Sequence, residues 1–246
     1  MPQRKMNIAE IRARNAGRSR KTSVGRIREG IQIFDCSVFS QERCSEGKFL
    51  DEYMNILNHQ RQASRPRQKP VWHKRYLVRS PTGGGSDLQT LIRYAYYSTI
   101  HISAHGPPDE YKGPTYLMVG NREFTIDDLK GIWSKREEKG EEKPLLVFLS
   151  ACHAGHKDLI KAFAAEGCKF CIAPVLGTPW EKAALFSALF YTYLFYGPYG
   201  SKYKPMEIRP AFEKAKKSLP NLTGNWKIFV DGDEAPKLAL GYVTSP

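Results

Sequence analysis

The chain has no apolar run long enough to cross a bilayer. The longest, residues 183–196, falls short of the roughly 20 residues a spanning helix needs. It also contains Ser187, Thr192 and three tyrosines, and so reads as a buried helix. A phosphate-binding loop is missing too. SPTGGGSD has three consecutive glycines but lacks the Gly-Lys-Ser/Thr of a P-loop, which leaves a turn with Ser86 or Asp87 capping the next helix. The five cysteines, Cys36, Cys44, Cys152, Cys168 and Cys171, are an odd number, and the polar N-terminal stretch has no signal-peptide pattern. Free thiols in a reducing cytoplasm are expected.

Acidic residues are absent between 61 and 79, where seven Lys and Arg give +7. Residues 1–29 carry nine Lys and Arg against Glu10 and Glu29, again +7, so the rest of the +13 chain sums to about −1. The basicity belongs to two segments. A solvated arm over 1–29 is the plain expectation for so polar a stretch. Contact with nucleic acid, with Trp72 and Tyr76 available for stacking, or with an acidic partner is the alternative.

What remains, residues 30–246, suffices for one α/β domain. Apolar runs predict strands at about 31–34, in HKRYLVR, at 99–104, in LLVFLSAC, at 168–173 and at 226–230. Helices are expected from Gly47 through Leu57, over 88–97, 127–138, from Lys157 to Gly167, over 180–196 and over 206–218. TYLMVGNREFTI reads as a hairpin turning at Gly120 and Asn121. Strands alternating with helices predict a mostly parallel sheet of about six strands with helices on both faces.

Sites in such sheets gather beyond the carboxyl ends of the strands. Two stretches deliver reactive groups there: STIHISAHG ends a strand at His105, and LLVFLSACHAG ends another at Cys152. A thiolate that attacks, an imidazole that moves the proton and backbone N–H groups that hold an oxyanion make a thiol hydrolase. Gly106 lets the backbone approach a substrate carbonyl. Taken singly, each residue reads more readily as structural, a buried thiol or a satisfied histidine; their matched placement at strand ends favours the pair.

IHISAHG, then LVFLSACHAG, GCKFCIAPV, a Trp-containing connection, a long apolar helix and NWKIFVDGD together resemble the CHAT domain, a caspase-like cysteine peptidase of the clan that includes caspases, metacaspases and separase. The resemblance spans about residues 95–232. It implies the caspase-like sandwich, His105 as general base and acid, Cys152 as nucleophile, and oxyanion donation from Gly106 and Cys152. It further implies a protein substrate, no cofactor and a setting in bacterial defence or cell death. Family members often carry tetratricopeptide repeats, which this chain lacks, so a separate activating protein is expected. In the wider clan the S1 pocket borrows a residue after the first strand. Asp35 occupies that neighbourhood, and an acidic floor there would favour Arg or Lys at P1.

Other readings compete. His153 adjoins Cys152 in sequence, but successive side chains diverge at a strand end; His156 falls at the start of the next helix. Cys152, His153, His156, Cys168 and Cys171 have a zinc-like spacing. Cys168 and Cys171, three apart on a strand, are expected to face opposite sides, which argues against metal. A catalytically silent CHAT-like interaction module and a basic nucleic-acid-binding accessory protein are the alternatives to a peptidase.

Overall fold

A computed structural model describes residues 30–36, 45–65, 69–78, 85–138, 142–198 and 204–236. The basic arm 1–29, most of the SPTGGGSD turn and Cys44 lie outside them. The elements in chain order are β1 (Gly30–Asp35), α1 (Glu46–Ser64), β2 (Trp72–Leu77), α2 (Gly85–Arg93), β3 (Thr99–Ser103), β4 (Leu117–Val119), β5 (Arg122–Phe124), α3 (Ile126–Leu129), α4 (Ser134–Glu138), β6 (Leu146–Ser150), α5 (Lys157–Ala165), β7 (Phe170–Pro174), α6 (Trp180–Phe195), α7 (Ile208–Ser218), β8 (Trp226–Val230) and β9 (Asp233–Glu234). Among the described residues, seven strands form one sheet in the order β2-β1-β3-β6-β7-β8-β9. The first five are parallel; β8 and β9 are antiparallel additions.

The central strands β1, β3 and β6 are buried along their whole length because both of their faces are covered. On one side Val147, Leu149, Ile100 and Ile102 pack with Leu88 and Ile92 of α2 and Leu159, Ile160 and Phe163 of α5. On the other, Leu146, Phe148, Ile31 and Ile33 meet Leu50 and Met54 of α1, Phe186 and Phe190 of α6 and Phe212 of α7. Phe148 lies within aromatic contact of Phe186, Phe190, Tyr191 and Trp226. These parallel pairings direct the ends of β1, β3, β6 and β7 to one rim.

Several boundaries depart from the sequence reading for local reasons. Helix α2 begins at Gly85, ahead of Ser86 and Asp87, and stops at Arg93 rather than Tyr97. Beyond it, the Tyr96 and Tyr97 amides donate to Gln32 Oε1 of β1, while Arg136 Nε donates to the Arg93 carbonyl at 3.0 Å. The single helix expected over 127–138 is broken into α3 and α4 around Gly131, which has φ +64°. The Glu166 carboxylate accepts from the freed Gly131 N–H at 2.7 Å. The hairpin forms as β4 and β5, with Gly120 in the left-handed region. The antiparallel β9 had no sequence signal.

Among the described residues, no helix is long and apolar enough to cross a membrane.

Candidate active site

Strands β3 and β6 are neighbours, paired in parallel with Ser103 opposite Ser150. One further bond, from Ala104 N–H to the Ser150 carbonyl at 3.0 Å, carries the pairing to the last residues before the chains part. His105 and Cys152 follow immediately on these adjacent ends. The His105 carbonyl accepts from Met118 N–H at 2.8 Å, so the β4–β5 hairpin braces that segment; the His105 side chain is exposed.

Gly106 is where the two segments touch. A Cβ placed on it would fall 1.8 Å from the Cys152 carbonyl oxygen and 3.0 Å from the Cys152 nitrogen. Only a residue without a side chain permits that approach. Among the described residues, neither the Gly106 nor the Cys152 amide donates to a protein acceptor.

Cys152 is a free, half-buried thiol. The Thr178 N–H donates to its sulfur at 3.4 Å, from the loop joining β7 to α6. Asn225 fixes that loop by donating to Thr178 Oγ1 at 2.7 Å. Leu176 and Trp180, on either side of Thr178, are 59% and 47% exposed, leaving apolar surface on the loop that reaches the sulfur.

His153 has φ +56°, a conformation rare for a residue with a side chain. Its Nε2 lies 2.6 Å from Asp109 Oδ1, in the segment that follows His105. The same Asp109 oxygen would stand 2.7 Å from a Cβ on Gly177. The loops after β3, β6 and β7 therefore converge on one carboxylate. His156 occupies the N-cap of α5, where its ring faces the Asp158 amide at 3.4 Å.

Asp35 ends β1 fully buried. Its carboxylate accepts from Arg75 Nε at 2.7 Å and from Ser45 Oγ at 2.6 Å, and Arg75 Nη2 lies 2.5 Å away. Gly47 backs directly against it, since a Cβ there would sit 2.7 Å from the Asp35 side chain. Its negative charge is balanced by Arg75 inside the fold, which differs from the open acidic floor expected for a basic P1 residue. Burial, and then this carboxylate, push the neighbouring Cys36 thiol far up.

The CxxC is placed differently from its sequence reading. Cys168 lies before β7 rather than in it, so strand alternation does not apply. Its sulfur stands 3.9 Å from that of Cys171, both buried in one core. The hydrogen bond between them, together with burial, raises the Cys171 thiol well above its ordinary range. Among the described residues no cluster of three or more His, Cys, Asp or Glu could hold a metal ion. Trp72 stands half-exposed on the edge strand β2, where Lys74 Nζ lies over the Tyr76 ring at 5.0 Å.

Sequence reading missed Thr178, Asp109 and a buried carboxylate, Glu46, which accepts from Ser103 Oγ at 3.3 Å and from Ser150 Oγ. None of the three carried a signal: the expected helix opened at Gly47, one residue past Glu46.

No protein-family profile matches the chain, and no curated protein does. Among solved structures, a secreted C11 cysteine protease from Bacteroides thetaiotaomicron, in complex with an irreversible peptide inhibitor, is similar at 11% identity and a TM-score of 0.43. The match covers 82% of this chain and 66% of that one.

Proposed function

We propose that the protein is a cysteine peptidase in which Cys152 is the nucleophile and His105 the general base and acid. The observation that carries this reading is the backbone contact of Gly106 with Cys152, made by segments leaving adjacent parallel strands. It brings the residue after the histidine against the cysteine itself.

The chemistry follows in order. The Cys152 sulfur attacks a peptide carbonyl, and His105 takes the thiol proton. The carbonyl oxygen becomes an oxyanion, to which the Gly106 and Cys152 N–H groups donate. As the tetrahedral species collapses, His105 returns the proton to the leaving amine. A water activated by the same imidazole then hydrolyses the thioester and frees Cys152. The substrate is a protein, and the CHAT resemblance adds a separate activating protein and a defence or cell-death setting to this reading. Because Arg75 balances the buried Asp35, a basic P1 preference is not part of it.

A panel of fluorogenic peptides differing at P1, together with a peptidyl acyloxymethyl ketone, tests the assignment. Turnover and labelling at Cys152 are expected in the wild type. Both should disappear in Cys152→Ala, and turnover should fall at least about 10²-fold in His105→Ala. Wild-type turnover that survived Cys152→Ala would refute it. Probe labelling that never reached Cys152 would favour a silent module.

A further inference from the structure

Glu46 is the first residue of α1, and it is only 4% exposed. Carboxylates are rarely buried, because removing the charge from water is costly unless hydrogen bonds replace the hydration. One of its oxygens receives both serine hydroxyls, from Ser103 at 3.3 Å and from Ser150. The other lies 3.4 Å from Nε2 of the fully buried His101. That ring stacks on Phe148, with centroids 4.9 Å apart, and its Nδ1 faces the Tyr191 hydroxyl at 3.2 Å. Burial, and then the Glu46 carboxylate, push the Tyr191 phenol well up.

The two serines are Cα partners at the last register position of β3 and β6. Each lies two residues before a member of the proposed dyad. A single carboxylate from a helix on one face of the sheet therefore ties together the two strand ends from which His105 and Cys152 depart. A buried carboxylate is weak evidence for stability, since an apolar side chain of similar volume packs as well. Holding two separate chain segments at a fixed spacing is something an apolar side chain would not do.

We propose that Glu46 is a positioning residue: by accepting from Ser103 and Ser150 together it sets the separation of the His105 and Cys152 segments. This rests on the dyad reading above. Glu46 touches neither reacting group, so its loss acts on turnover through geometry. A misplacement of about 1 Å can cost roughly 10²-fold in rate.

Glu46→Met keeps a similar volume and removes the acceptor oxygens. With a fluorogenic peptide cleaved by the wild type, kcat is expected to fall about 10–100-fold while KM stays within about threefold. Ser103→Ala and Ser150→Ala should each lower kcat by less. Adding both to Glu46→Met should cost nothing further, because the three act as one unit.

Asn58→Ala controls for stability alone. It breaks bonds from the same helix to Val71 and Tyr196 and should lower Tm with kcat unchanged. A Glu46→Met kcat within threefold of wild type would overturn the proposal, as would an equal kcat loss in Asn58→Ala at matched Tm.

The rate of Cys152 alkylation by iodoacetamide, read by mass spectrometry, needs no peptide substrate. A several-fold change in Glu46→Met supports the link and no change refutes it. A changed alkylation rate in a chain without Cys152-dependent turnover would sink the peptidase reading and leave the coupling of Glu46 to Cys152 standing.

Discussion

Gly106→Ala is the smallest change that should disable this site. The added methyl carbon would stand 1.8 Å from the Cys152 carbonyl oxygen and 2.8 Å from its carbonyl carbon, where ordinary contact begins near 3.4 Å. The two segments must separate by about 1.6 Å along that line, and the obstacle is backbone rather than the end of a flexible side chain. The His105 carbonyl is tied to Met118 and the Ala104 amide to Ser150, so neither side can yield freely. Overpacking of this kind costs about 1–3 kcal/mol, a fall in Tm of roughly 2–12 °C for a domain of this size. The larger effect is on chemistry: a shift beyond 1 Å between the proposed base and nucleophile should lower kcat/KM by at least about 10²-fold. Peptide hydrolysis and thermal melting measured on the same preparation separate the two effects. Gly224→Ala is the control, since nothing lies within 4 Å of its Cβ position; it should leave activity unchanged. If Gly106→Ala kept kcat/KM within threefold and Tm within about 1 °C of wild type, the close approach of the two segments would be refuted.

Two further predictions concern charges in the scaffold. Arg75→Met removes the guanidinium from the buried Asp35, and breaking a buried pair from one side costs about 3–5 kcal/mol. Arg75 is itself 22% exposed, so a loss near the lower figure is expected by urea denaturation. Asp35→Asn in the same chain should restore part of it, and an additive double variant would refute the pairing. Asp51 is an acid whose pKa burial raises, against the opposing charges of His73 and Arg75. Its neutral form is the one the fold favours, so the stability this group contributes is fully present below its unfolded pKa of about 3.9 and is lost as pH rises through the higher folded value. Asp51→Asn should therefore melt higher than wild type at pH 7, with the gap closing in acid. A variant that melted lower at pH 7 would show that the contacts of Asp51 with His73, whose Nε2 lies 3.6 Å from Oδ1, and with the charge of Arg75 outweigh its burial.

Local pattern carried most of the architecture. The apolar runs at 31–34, 99–104 and 145–149 alternate with helical periodicities, and that order specifies a parallel sheet whose strand ends share a rim. His105 and Cys152 follow two of those ends in the sequence itself, and a glycine after the histidine marks a close approach without saying to what. The structure supplies the other side of that contact, the Cys152 backbone. It turns His153 to Asp109 and buries Asp35 against Arg75. It also brings together Cys168 and Cys171, which strand alternation had set apart, because Cys168 precedes β7. Glu46, Thr178 and Asp109 were not legible, since each meets its partner across a long stretch of chain. Periodicity tells a residue which face of its own element it occupies; which other element covers that face is decided by strand order and by the paths of the crossovers. The sequence by itself therefore determined where a thiol and an imidazole leave the sheet. Only the tertiary structure decided what holds those two ends side by side, because a carboxylate on α1 and two serines on β3 and β6 become neighbours when the sheet is assembled.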